Sequence, residues 1–385
     1  MWTGNFKRVC FSALLMFVSQ YMLLPTLPLI MADRLGFSIA RTGSMFLVFT
    51  LGMLLISPFS SYLVDTFQRK KLCVSAFTVL LITTAAYTLV NRPPELVILP
   101  LIQGMAFGIT SSAFITLGID MTSSAERSRG NVVFGWFTRM GMIAGIALGS
   151  AVYLNYGFEK MVITSIAIGF AGLLLLVLVR VPFRAPIGSK LLTLDRFFLP
   201  RSWVLVINMI LISLVPGILF PLIHFKIRDT FFLYGWGVPY FLVAAVGFLF
   251  SVFLVRAFSE HENRWKQVVI GLVSVVLAIS LLILFYIVPG QILSAILLGA
   301  GLGIVTPALL LLFIDLSSHC ERITANYTYL LSWEIGVSGG VALSCYLREH
   351  AFSGTAFQVS MFIAALALIF FIVAAFPYYL KKKVR

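Results

Sequence analysis

Charge is what this chain has least of. Asp, Glu, Lys and Arg make up 11% of its 385 residues, while hydrophobic residues make up 60%. A soluble protein of this length would fold as two or three domains, but so little charge cannot cover their surfaces. Cysteine is also scarce. Cys10, Cys73, Cys320 and Cys345 form no C-x-x-C and no ligand cluster, so a disulfide framework or metal site is not expected. No H-E-x-x-H, paired carboxylates, glycine-rich phosphate loop or Ser-His-Asp set at one depth is present, which argues against an enzyme. The apolar stretches also lack the alternation that a membrane β-barrel requires.

What the chain has instead is length without charge. Eight segments hold no Asp, Glu, Lys or Arg: 9–32, 42–64, 72–91, 96–119, 161–179, 202–225, 230–255 and 350–380. A double-length run, 267–314, is divided by Pro289-Gly290 into 267–288 and 291–314. Two more, 130–158 and 323–347, each enclose a single charge. That makes twelve segments able to cross a bilayer, since a spanning helix needs roughly 20 mostly apolar residues. Only helices satisfy their own backbone in lipid without closing a barrel. The expected fold class is an all-α membrane protein with 12 transmembrane helices.

The formal net charge of +14 would indicate nucleic acid in a soluble chain. Its placement gives another meaning. With the N-terminus inside, 20 of the 28 Lys and Arg fall in inner segments and 7 in outer ones, leaving Arg139 within a span. This bias orients both termini to the cytoplasm. The basic residues then serve topology and anionic lipid, with no nucleic-acid partner. The first apolar run is too long for a signal-peptide core and is read as a retained span.

The chain repeats itself. Ile119-Asp120 in GIDMTSSAERSRG corresponds to Ile314-Asp315 in FIDLSSHCERITA at an offset of 195. The same offset relates Glu126-Arg127 to Glu321-Arg322, Gly104 to Gly299, Gly141 to Gly336, and Arg139 to Glu334. Coinciding charges are strong evidence where charges are few. An even number of spans per half makes the repeats parallel. The halves are read as bundles 1–180 and 203–385, joined by a basic central loop at 181–202.

Six plus six parallel spans with a basic central loop resemble the major facilitator superfamily (MFS). The second span ends in Pro58, Asp65, Arg69, Lys70 and Lys71 at the spacing of that family's loop signature, P-x-x-G-x-x-x-D-R-x-G-R-K/R-K/R. Ser61, Thr66 and Gln68 depart from it, and Glu260, Arg264 and Lys266 form a degenerate second copy. The resemblance implies alternating access, with Asp65 near the start of the eleventh span at Thr324 to Asn326, where the helix dipole favours a carboxylate. Arg69 is its expected charge partner. Glu126, Arg127, Glu321 and Arg322 are the expected members of a gating salt-bridge network. The bland alternative is solvated loop charge worth ~0–1 kcal/mol per pair.

Arg139 and Glu334 lie deep in the fifth and eleventh spans. Charges at that depth indicate function unless they pair statically. Glu334 is the candidate proton carrier and Arg139 the candidate anion contact. Gln20, Tyr21 and Asn208 are expected to line the cavity, and Trp136 and Trp333 flank the deep charges. His224 is a weaker candidate. Gly141, Gly145 and Gly149 form a G-x-x-x-G-x-x-x-G stripe that permits close helix approach. Ile146 stands where the family's antiporters carry proline, and no arginine stands three residues before Gln103-Gly104. Both absences count against a standard antiporter.

The pattern Pro25-Thr26-Leu27-Pro28-Leu29 followed by Leu35-Gly36-Phe37-Ser38 resembles bacterial sugar and drug exporters. The resemblance implies proton-coupled efflux of a small organic molecule from the bacterial inner membrane, by a monomer that needs no cofactor beyond a proton gradient. The alternative is uptake or facilitated diffusion of a small, anionic solute. A remote one is a non-transporting membrane sensor.

Overall fold

The computed structural model describes residues 2–123, 126–181, 191–192, 197–227, 240–257, 264–284, 288–318, 321–350 and 354–383. Every regular element among them is helical. The first half comprises α1 (Gly4–Leu23), α2 (Leu27–Leu35), α3 (Ile39–Gly43), α4 (Met45–Thr66), α5 (Arg69–Ala86), α6 (Glu95–Asp120) and α7 (Arg127–Val177). The second half comprises α8 (Trp203–Ile227), α9 (Tyr240–Ala257), α10 (Arg264–Leu284), α11 (Val288–Asp315), α12 (Arg322–His350), α13 (Thr355–Phe370) and α14 (Phe376–Lys382), the last two joined by a π-helical turn over Phe371–Ala375.

Nine helices among the described residues are long and apolar enough to cross a bilayer. The pair α1 and α2, bent by 40° where Pro25 and Pro28 interrupt the ladder, makes a tenth crossing. Helix α7 adds another. Its 51 residues would extend ~77 Å if straight, more than twice the ~30 Å hydrocarbon core. It breaks at Gly157, whose φ of 80° is open to glycine and strained for other residues. The two legs are separate spans. Helix α9, short but apolar, completes twelve.

Turns form where the sequence supplies caps. Thr3 accepts the Phe6 N–H at the start of α1, and Ser38 accepts the Arg41 N–H at the start of α3. Gly36 ends α2 in the left-handed region, with Arg34 in the last turn where the helix dipole favours a cation. Before α6, Glu95 accepts the N–H groups of Asn91 and Arg92, which hold its carboxyl below the ordinary carboxylate value.

The two halves are parallel six-helix bundles that repeat in detail. Gly52 and Gly104 let α4 and α6 touch backbone to backbone: a Cβ on Gly104 would fall on the Phe49 carbonyl, and one on Gly52 on that of Leu101. Shifted by 195, Gly247 meets the Ile296 carbonyl and Gly299 the Ala244 carbonyl, between α9 and α11. The stripe Gly141, Gly145 and Gly149 seats α7 on the carbonyls of Leu14, Val18 and Met22 in α1. Its counterparts Gly336 and Gly340 seat α12 on α8. Close approach through small residues is how helices associate where lipid removes the hydrophobic drive.

Candidate functional site

The charged residues at the face carrying both termini form matched clusters. Arg69 bridges Asp65, at 3.3 Å through Nη2, and Asp120 through Nη1. Arg264 bridges Asp315 at 2.5 Å, again through Nη1, and Tyr379 donates to the same carboxylate at 2.8 Å. The Arg69–Asp120 and Arg264–Asp315 pairs span the same sequence separation and are related by the offset of 195. The equivalence read from scarce charges thus reappears as one repeated contact. Glu260 and the side chain of Arg127 lie outside the described residues, as does the side chain of His224. Glu126 accepts the Ser123 hydroxyl at 3.1 Å and Glu321 the Ser318 N–H at 2.9 Å. The Ser318 N–H holds the Glu321 carboxyl below its ordinary value. Arg322 is half-buried at the first turn of α12.

The deep charges are both buried, Arg139 at 5% exposure and Glu334 at 2%. No ion pair or hydrogen bond joins them. They border two different cavities. The larger lies between the bundles, lined by α1, α6 and α7 from one half and α8, α9, α11 and α12 from the other. Arg139 is the one charged side chain among its described lining. Its Nε donates to the Tyr329 hydroxyl at 3.2 Å, and the guanidinium lies over the Tyr329 ring, 5.1 Å from the centroid. Nη1 is buried without an acceptor. Gly135, one turn earlier, leaves space for the guanidinium to fold back along α7.

Glu334 borders the smaller cavity, among Gln20, Tyr21, Tyr87, Gln103 and Ser338. Tyr21 donates to Glu334 Oε1 at 2.6 Å and accepts the Trp333 indole N–H at 3.0 Å. It lines both cavities and so stands as the partition between them. Behind it runs a buried polar chain. Gln20 donates to Thr84 at 3.2 Å, Gln103 donates to Gln20 at 2.9 Å, and Tyr87 donates to Gln103 at 2.8 Å. The bundles also meet where α3 and α4 face α12. The Ala40 N–H donates to Glu349 at 3.0 Å, Thr50 bonds Ser338 at 2.6 Å, and Ser57 bonds the Tyr327 hydroxyl at 3.0 Å.

Sequence-predicted residues therefore divide. Arg139 and Trp333 line the large cavity, Gln20 and Glu334 the small one, and Tyr21 both. Asn208 lines neither: fully buried, it donates to the Ala367 carbonyl and ties α8 to α13. Trp136 meets Phe248 edge to face at 5.7 Å, joining α7 to α9 across the bundle interface. Tyr329, Ser111 and the Thr50–Ser338 bond were not singled out by sequence. No spacing or charge marks them: the Tyr329 and Thr50 bonds join residues far apart in sequence, and Ser111 is one small polar residue among many.

The Major Facilitator Superfamily model matches residues 9–340. The chain belongs to that superfamily. It is a multi-pass membrane transporter, and its MFS fold is shared with solved structures at low identity. The human organic anion transporter MFSD10 (TETRAN) is 18% identical, over 95% of this chain and 98% of that one, with a TM-score of 0.69. The nucleoside transporter NupG is 16% identical over the whole of both chains, with a TM-score of 0.68. An auto-inhibited POT family peptide transporter is 11% identical over 100% and 98%, with a TM-score of 0.72. At these identities the likeness carries the fold alone.

Proposed function

We propose that this MFS protein is a secondary transporter of a small organic molecule, working by alternating access and coupled to protons, with both termini in the cytoplasm of a bacterial cell and export as its direction. The observation that carries this reading is the division of labour at the bundle interface. A buried cation borders the large cavity, and a buried carboxylate borders a separate, more polar one. The two are not neutralised by each other. An unpaired ionisable group at that depth is costly, so it persists where function needs it.

Glu334 is the proton carrier in this scheme. It sits on α12 of the second bundle, yet its bonding partners Tyr21 and, through its carbonyl, Thr50 belong to the first. Protonation changes a contact between bundles, which is how a proton can bias two states of the molecule. The Asp65–Arg69–Asp120 and Arg264–Asp315 clusters brace the terminal face of each bundle and act as gates. Export is supported by the first-span resemblance to exporters. Import of the same solute is the alternative, distinguished by which gradient drives accumulation.

The test uses proteoliposomes with an imposed pH gradient and a panel of radiolabelled organic solutes. Wild-type protein is expected to move at least one solute against the proton flow, with collapse on adding an uncoupler. Glu334→Gln is expected to abolish gradient-driven accumulation while preserving solute exchange at equal pH. Intact gradient dependence in Glu334→Gln overturns the proton role, and absence of flux for every solute overturns the transport reading.

A further inference from the structure

We propose that the large cavity takes an organic monoanion with an apolar, ring-bearing body, its anionic group seated on Arg139. The inference deepens the transport reading and rests on this cavity being the substrate site.

Charge comes first. A guanidinium stays protonated in any protein environment, so Arg139 places a fixed positive charge against the cavity. The described lining offers no carboxylate in return. Glu334 is held behind Tyr21, facing the other chamber, and makes no bond to Arg139. Tyr329 takes Nε and supports the face of the guanidinium, which leaves Nη1 buried with no acceptor. The Ser111 hydroxyl, also on the cavity lining, is likewise buried without a partner. An unsatisfied guanidinium nitrogen and an unsatisfied hydroxyl among the residues of one apolar lining leave capacity for acceptor oxygens, because buried polar groups are otherwise paired. A single cation balances a single negative charge. A dianion would bring a charge with no partner, and an organic cation would meet repulsion with no acid to receive it.

The body of the ligand follows from the remaining surface. Eight aromatic residues line the cavity, five of them phenylalanines, with aliphatic side chains and one amide, Asn326, between. Thr138 and Thr306 spend their hydroxyls on the backbone of their own helices. A sugar or nucleoside would leave many hydroxyls unpaired here. A carboxylate or sulfonate on a hydrophobic, planar body would not, and aromatic walls favour such bodies through stacked and edge-on contacts.

Three compounds of one shape test this on the purified full chain by isothermal titration: 4-phenylbutyrate, 4-phenylbutyramide and 4-phenylbutylamine. The expected result is about tenfold or greater preference for the anion, the amide weaker and the amine weakest. Arg139→Gln is expected to equalise anion and amide. Arg139→Lys keeps the charge without the fork geometry and is expected to retain part of the preference. Equal binding of the amide or amine by the wild type overturns the proposal, as does absence of saturable anion binding up to about 10 mM. Both readings come from unmodified protein, so a variant that fails to fold leaves the test standing. Anion preference without flux of any solute, with or without a pH gradient, would sustain this inference while removing the transport reading.

Discussion

Tyr21 is the residue on which the two cavities depend. Its hydroxyl is at once donor to Glu334 and acceptor from Trp333, and its ring forms part of both walls. Removing the oxygen leaves a buried carboxylate and a buried indole N–H without their partner. Leaving a buried polar group unsatisfied costs about 1–3 kcal/mol. Tyr21→Phe is therefore expected to lower the melting midpoint of the purified protein, while Phe17→Leu, in the same wall without a polar atom, costs less. Equal melting of wild type and Tyr21→Phe would show the bond to be energetically idle. Deep charges are legible in sequence because lipid makes every charge conspicuous, and Arg139 and Glu334 stood out for that reason. Their partners are not legible. Tyr329 is one of 13 tyrosines, and only folding brings its hydroxyl to a residue 190 positions away.

At the scale of helices, glycine decides which surfaces meet. The closest approaches, α4 with α6 and α9 with α11, are made by the same pair of positions in each half, Gly52 with Gly104 and Gly247 with Gly299. A side chain at Gly104 or Gly299 would displace the facing backbone, which cannot yield as a flexible side chain does. Overpacking of this kind costs about 1–3 kcal/mol or more. Gly104→Val and Gly299→Val are expected to reduce folded yield by similar amounts, since their surroundings are equivalent, whereas Gly4→Val, with open space around it, is expected to be neutral. A large effect at one helix pair and none at the other would break the equivalence. The offset of 195 relates Gly104 to Gly299 in the sequence, but does not show the carbonyls they touch. Apolar runs locate a span without fixing its rotation, and the rotation sets which face each glycine presents. For the same reason Asn208, placed by sequence among cavity residues, proves to bond Ala367 between α8 and α13.

For the whole molecule, the seam between α4 and α12 is the joint across which the bundles move in the proposed cycle. It is polar at intervals along its length, from Ala40 of the adjoining α3 with Glu349 through Thr50 with Ser338 to Ser57 with Tyr327. A seam of single hydrogen bonds suits a reversible joint, because each contributes only ~0.6 to 2 kcal/mol between membrane helices. An interlocked apolar surface would hold one state more firmly. Alternating access requires at least part of this seam to part in each cycle, and a covalent bond across it must then stop turnover without disturbing either bundle. The Thr50 and Ser338 hydroxyls, 2.6 Å apart, mark the place. In a background with the four native cysteines replaced, Thr50→Cys with Ser338→Cys is expected to oxidise to a disulfide. Solute exchange in proteoliposomes is then expected to fall by more than about tenfold, to recover on reduction, and to remain unaffected by oxidant in either single variant. Undiminished exchange through a fully cross-linked seam would mean that α4 and α12 stay together throughout, and the two bundles would have to open along α7 and α9 alone.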